Sequence, residues 1–156
     1  MYSVEMRIVS SVSLCRFLSV CQKRMKLLDG KSVAEAMLRT LEIEVSHMGI
    51  RPGLGVLLVG DDAASHLYVS LKERVAERLG VRFEKRFLFE SVSLEEVQHT
   101  IEGFNSDPNI HGILVQLPLP LQFPVDEILG VISPDKDADG FHPENERRFA
   151  AGKRCV

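Results

Sequence analysis

Residues Pro52–Asp61 read PGLGVLLVGD, and within them Leu54–Val59 (LGVLLV) is an apolar run of strand length, broken only by Gly55. A continuous run without polar alternation is the pattern of a strand covered on both faces. Pro52-Gly53 punctuates it before and Gly60-Asp61-Asp62 turns the chain after. A second such run, Gly112–Leu117 (GILVQL), is stopped by Pro118 and Pro120. Between the two runs the period changes to that of a helix, from about Ala64 to Leu79, closed by Gly80. Val81–Phe89 reads as another strand, and its Arg82, Glu84, Lys85 and Arg86 suit an edge position. Ser93 and Glu96 stand at capping-box spacing before a helix running to about Phe104. Upstream, Ala34, Met37, Leu38, Leu41, Val45 and Met48 recur at helical spacing, with Gly49 as the stop. Downstream, a short helix is expected near Val125–Val131, and the rest reads as loop. Strands and helices alternating at short spacing imply parallel strands with crossover helices, a three-layer parallel-sheet α/β domain.

The chain has 156 residues, 45 % hydrophobic and 26 % charged, which fits one globular domain and excludes a disordered or low-complexity polymer. A net charge of -3 gives no general basic field, so neither nucleic acid nor an anionic membrane is an expected partner. No stretch approaches the roughly 18 uncharged apolar residues of a spanning helix. Three cysteines (Cys15, Cys21, Cys155) without a CxxC pair argue against a disulfide framework and suit a reducing compartment. Residues 1–24 differ in texture: Arg7, Arg16, Lys23 and Arg24 against Glu5 alone, rich in serine, without glycine or proline. Three readings stay open for them: a targeting peptide of mitochondrial type, an additional helix, or an extension without function. The domain itself is expected over residues 25–156.

In an open parallel sheet, ligands bind outside the carboxyl ends of the strands. The polar residues in that position are Gly60-Asp61-Asp62 with Tyr68 and Lys72 on the following helix, Gln116 at the end of the last strand, and the acidic turn Lys136–His142 (KDADGFH). Tyr68 and Lys72, four apart, share a helix face, so a ring able to stack on a flat heterocycle lies one turn from an ammonium. The same YxxxK spacing serves short-chain dehydrogenases, but Gly53-x-Gly55 runs into a strand without a third glycine, so the dinucleotide fingerprint is missing. Gln116 needs partners, because an unpaired buried amide costs about 1–3 kcal/mol. Asp137 and Asp139 lack the further ligands of a calcium loop, and no metal is expected. His47, His66, His99, His111 and His142 form no HxH or HExxH cluster and are read as surface or capping residues.

Five segments in register, Met25–Gly30 (MKLLDG), Pro52–Asp61, Ala64–Lys72 (ASHLYVSLK), Gly112–Pro120 (GILVQLPLP) and Ser133–Pro143 (SPDKDADGFHP), resemble the bifunctional methylenetetrahydrofolate dehydrogenase/cyclohydrolase (FolD-like) family. The resemblance runs from Met25 to the chain end and makes Met25 look like the customary start. It implies an α/β catalytic domain working on 5,10-methylene-, 5,10-methenyl- and 10-formyltetrahydrofolate, in the cytoplasmic one-carbon metabolism that serves purine biosynthesis. By motif it implies that Tyr68 stacks on the folate ring system and that Lys72 is the central catalytic group, assisting proton transfer and water attack. It further implies that Gln116 tunes that lysine and that Asp139 holds the amino-pyrimidinone edge. Val69, Ser70, Leu71, Val115 and Leu117 flank these as the remaining substrate-binding positions.

The resemblance also implies what lies beyond this chain. Family members continue into a second, Rossmann-like domain that binds NADP, and they are usually homodimers, largely through that domain; a monomer is open for this chain. No cofactor-binding residue is therefore expected here. Ala138 stands where the family usually has valine. Three readings remain: the folate half of the enzyme, a non-catalytic folate-binding or interaction module, and an α/β domain whose motifs only pack.

Overall fold

The run at Leu54–Val59 is the middle of the sheet. In the computed structural model, which describes residues 28–154, strand β1 (Gly53–Val59) lies between β2 (Arg82–Leu88) and β3 (Gly112–Val115). Both neighbours run parallel to it, Gly53 opposite Arg82 and Leu54 opposite Gly112. The crossovers are α2 (Ala63–Leu79) and α3 (Leu94–Ser106), preceded by α1 (Gly30–His47) and followed by α4 (Val125–Leu129) and α5 (Pro143–Ala150). The expected α/β architecture, a parallel sheet with crossover helices, is present with three strands. So is the expected edge position of the charged strand β2.

Alternate side chains of β1 feed two cores, as the period of a strand requires. Val56 and Leu58 meet Val69 of α2 and Leu114, while Leu57 and Val59 meet Val97, Ile101 and Phe104 of α3 and Ile128 and Leu129 of α4. The two glycines of β1 are packing devices. A Cβ on Gly55 would stand 2.9 Å from the Phe104 ring, and one on Gly53 would overlap the Asn109 carbonyl oxygen. The Gly53 amide in turn donates to Nδ1 of His111, 3.1 Å away. That is the physical reason these glycines lead into a strand and form no phosphate turn.

Helix ends follow local chemistry. Asp62 caps α2 through Ser65 N, and Gly80 closes it at φ 74°. Ser93 caps α3 by accepting from Glu96 N at 3.2 Å. Two expectations need correction. The chain leaves α1 at an extended Met48, and Gly49 is not in the left-handed region that a glycine stop uses. No α1 residue is buried, and Met37 and Leu41 of its apolar stripe are 62 % and 40 % exposed. This helix is tied to α2 by Arg78, which donates to Glu35 and Glu42. The stretch beyond Val131 is not loop alone. It holds a single 3-10 turn (Pro134–Lys136) and α5, whose start carries His142 as cap and Pro143 in the first turn.

Residues 1–24, with Cys15 and Cys21, lie outside the described residues, as does Cys155, so the readings of that segment are not addressed by the fold. Among the described residues no helix is long and apolar enough to cross a membrane.

Candidate functional site

Helix α2 returns antiparallel to the strands, so its N-terminal half stands over their carboxyl ends. Side chains on a helix tilt toward its N-terminus, and Lys72 accordingly reaches back toward the end of β3. There its Nζ donates to Oε1 of Gln116 at 3.0 Å. Gln116 is 9 % exposed, and its Nε2 donates to the Leu117 carbonyl at 2.6 Å. The amide is thereby oriented, its oxygen toward the lysine. The backbone places it: Gln116 N donates to Leu57 O of β1.

Asp139 is the third member. It is exposed at the surface, on a turn closed by Gly140 at φ 74°. Its carboxyl is pushed above the ordinary aspartate value, by desolvation first; Lys72 opposes this and Asp137 adds to it. Lys72 of α2 thus bonds Gln116 at the end of β3, and its charge is felt by Asp139 on the turn before α5. Tyr68, one helical turn from Lys72, is 57 % exposed and presents its ring outward. Leu71 is 44 % exposed, and with Lys72, Leu54, Val75, Ala76, Leu79 and Val81 it lines a groove of about 350 Å³. An ammonium one helical turn from an exposed ring suits a flat, partly aromatic ligand, whereas the groove runs from Lys72 toward Leu79, past the amino ends of β1 and β2.

Not every candidate is free to touch such a ligand. The side chain of Val69 is committed to the core with Val56, Leu58 and Leu114, and Val115 to the opposite core. Ser70 spends its hydroxyl on the His66 carbonyl at 2.9 Å. Leu117 is half-buried and packs against the α3-side core.

The acidic turn is held by residues the sequence did not single out together. Lys136 Nζ donates to the carbonyls of Phe104, Asn105 and Asp107 at 3.2, 2.7 and 2.9 Å, closing the end of α3. Asp137, 3 % exposed, accepts from Gly140 N, His142 N and Asn145 Nδ2. Its oxygens are engaged by N–H donors, which is not the state of a metal ligand. Asn145, 1 % exposed on α5, has no signal in the sequence beyond the His142-Pro143 helix start. His111 and His142 both accept backbone amides, from Gly53 and Glu144.

The fold and this neighbourhood define an α/β domain with a lysine–amide–carboxylate site at the carboxyl edge of a parallel sheet. The chain belongs to the tetrahydrofolate dehydrogenase/cyclohydrolase family, whose catalytic domain matches residues 28–139. It is 44 % identical over 131 residues to the bifunctional protein FolD of Geotalea uraniireducens, across 82 % of this chain and 47 % of that protein. The crystal structure of the Campylobacter jejuni FolD methylenetetrahydrofolate dehydrogenase/cyclohydrolase superposes with a TM-score of 0.79 at 38 % identity, over 83 % of this chain and 47 % of that one. The Trypanosoma brucei methylenetetrahydrofolate dehydrogenase-cyclohydrolase (FolD), complexed with NADP cofactor and inhibitor, gives 0.76 at 34 %, over 79 % and 43 %. The chain thus spans about half the length of these relatives.

Proposed function

We propose that this chain carries the folate site of a methylenetetrahydrofolate dehydrogenase/cyclohydrolase and supports the hydrolysis of 5,10-methenyl- to 10-formyltetrahydrofolate. The observation that carries this reading is the Lys72–Gln116 hydrogen bond at 3.0 Å, in a chain of this family. The methenyl bridge is a flat, electrophilic cation. Tyr68 stacks on the ring system, and Asp139 accepts N–H bonds from the amino-pyrimidinone edge, fixing the ligand's in-plane orientation. Water adds to the bridging carbon and one of the bridge's two carbon–nitrogen bonds opens. Of the water's two protons, Lys72 carries one to the departing nitrogen and the other leaves to solvent as the formyl carbonyl forms. Gln116 holds the lysine at the reacting carbon, so that proton transfer and attack occur in one geometry.

Hydride transfer is not assigned to these residues. NADP accompanies the Trypanosoma brucei relative, yet the described residues offer its phosphates no cradle. The glycines of β1 are filled by Asn109 and Phe104, and the turn after β1 presents Asp61 and Asp62, which repel phosphate. Residues 25–156 are read as the catalytic domain, acting in the cytoplasm on folate intermediates that serve purine biosynthesis.

The test is methenyltetrahydrofolate hydrolysis by the purified chain beside Lys72→Met, in a buffer where the spontaneous rate is slow. A rate above background that disappears in Lys72→Met is expected. Equal rates for the two folded proteins would refute the hydrolytic reading and leave a folate-binding module.

A further inference from the structure

We propose that Asp137 and Asn145 are positioning residues for Asp139, forming a buried strut that fixes the place of its carboxylate; this rests on the folate-site reading above. Among the described residues the Asp139 carboxylate makes no hydrogen bond of its own, so nothing in its side chain fixes it. What fixes it is the backbone on either side. The Ala138 amide donates to the Ile113 carbonyl of β3 at 3.1 Å, which pins the peptide between Asp137 and Ala138, one residue upstream. The Gly140 amide donates to Oδ1 of Asp137 at 3.1 Å, which pins the peptide after it. The other Asp137 oxygen receives His142 N at 2.9 Å and Asn145 Nδ2 at 3.0 Å.

Asn145 makes the strut rigid. Its Nδ2 also donates to the Pro134 carbonyl at 2.8 Å, so one amide bridges both ends of the turn. Its Oδ1 is buried without a partner, so the side chain is oriented by its donor alone. Burying a carboxylate and an amide is costly unless they are hydrogen-bonded, and these two satisfy each other and the turn's backbone. A turn of this length does not require it. Two exposed residues lie between the pinned peptides, Ala138 and Asp139, and of these only Asp139 carries a polar side chain to place.

Binding of 5-formyltetrahydrofolate, a stable folate, is measured by calorimetry on the full chain in a double-mutant cycle. Asp137→Asn keeps the volume and turns one acceptor into a donor facing an N–H. It is expected to weaken binding about tenfold, the scale of one lost charge-assisted hydrogen bond. In an Asp139→Ala background the same substitution is expected to change nothing further, because there is no carboxylate left to place. An equal loss in both backgrounds means general loosening and overturns the proposal, as does no loss in either. Asn145→Ala removes the bridging donor from a helix that tolerates alanine and carries the same cycle should Asp137→Asn fail to fold. Failure of the folate-site reading shows separately: Asp139→Ala alone would then bind as tightly as the parent.

Discussion

Replacing Gln116 by methionine separates stability from catalysis. The substitution keeps length and approximate volume and deletes two side-chain hydrogen bonds, Lys72 Nζ to Oε1 at 3.0 Å and Nε2 to the Leu117 carbonyl at 2.6 Å. Each is worth about 1 kcal/mol net, somewhat more for the one to the ammonium. Lys72 and Leu117 are both half-buried, so the freed partners can turn to water and avoid a full desolvation penalty. The thioether adds apolar burial at a position 9 % exposed, which offsets part of the loss. The net destabilisation should be about 1–2 kcal/mol, which leaves a domain of ordinary stability almost entirely folded. The effect on hydrolysis should be far larger. A lysine freed to wander by an ångström loses proximity worth on the order of 10²-fold in rate. Urea unfolding and the loss of methenyltetrahydrofolate absorbance read the two quantities on the same preparation. A folded Gln116→Met chain hydrolysing within about threefold of the parent would refute the idea that the amide holds the lysine. A collapse of stability would make Gln116 a packing residue instead.

Three further outcomes follow from the geometry. Because desolvation raises the Asp139 carboxyl, folate affinity should start to fall on acidification above the ordinary aspartate range; protonation removes an acceptor, and the fall should vanish in Asp139→Asn, as calorimetry across pH will read. Glu35 is held down at about 2, chiefly by hydrogen bonds from Arg78, so its contribution is present above its ordinary value near 4.5 and lost as pH drops toward 2. Melting curves over that window should flatten in Glu35→Gln, and high salt should weaken the effect. Gly53→Ala drives a Cβ into the Asn109 carbonyl and should cost roughly 1–3 kcal/mol. Gly103→Ala, exposed within α3 with nothing inside 4 Å, should instead stabilise by about 0.4–1 kcal/mol; denaturant midpoints moving the same way in both would contradict the packing described.

Much was legible in the chain because the decisive signals are local. An unbroken LGVLLV run, the Asp62 and Ser93 caps, and a glycine after Leu79 each state their conformation within a few residues. The spacing of Tyr68 and Lys72 is likewise a property of one helix. Burial, by contrast, is not carried by pattern alone. The stripe Met37–Leu41–Val45 has helical period, yet no α1 residue is buried, and Arg78 ties the helix to α2 through Glu35 and Glu42. The tail beyond Val131 looked like loop because α5 is short and strongly polar, although His142 and Pro143 mark its start.

What the sequence by itself determined is the alternation of strand and helix, the parallel order that follows, and the residue types at the strand ends. Only tertiary structure decided which of those residues meet. Lys72 and Gln116 are 44 positions apart and bond because α2 folds back over β3. Asp137 became a buried acceptor because α5 brings Asn145 to it. The glycines of β1 proved to be spaces for Asn109 and Phe104. Periodicity records which face a segment offers, whereas a hydrogen bond or a close approach between distant segments depends on where the whole chain places them.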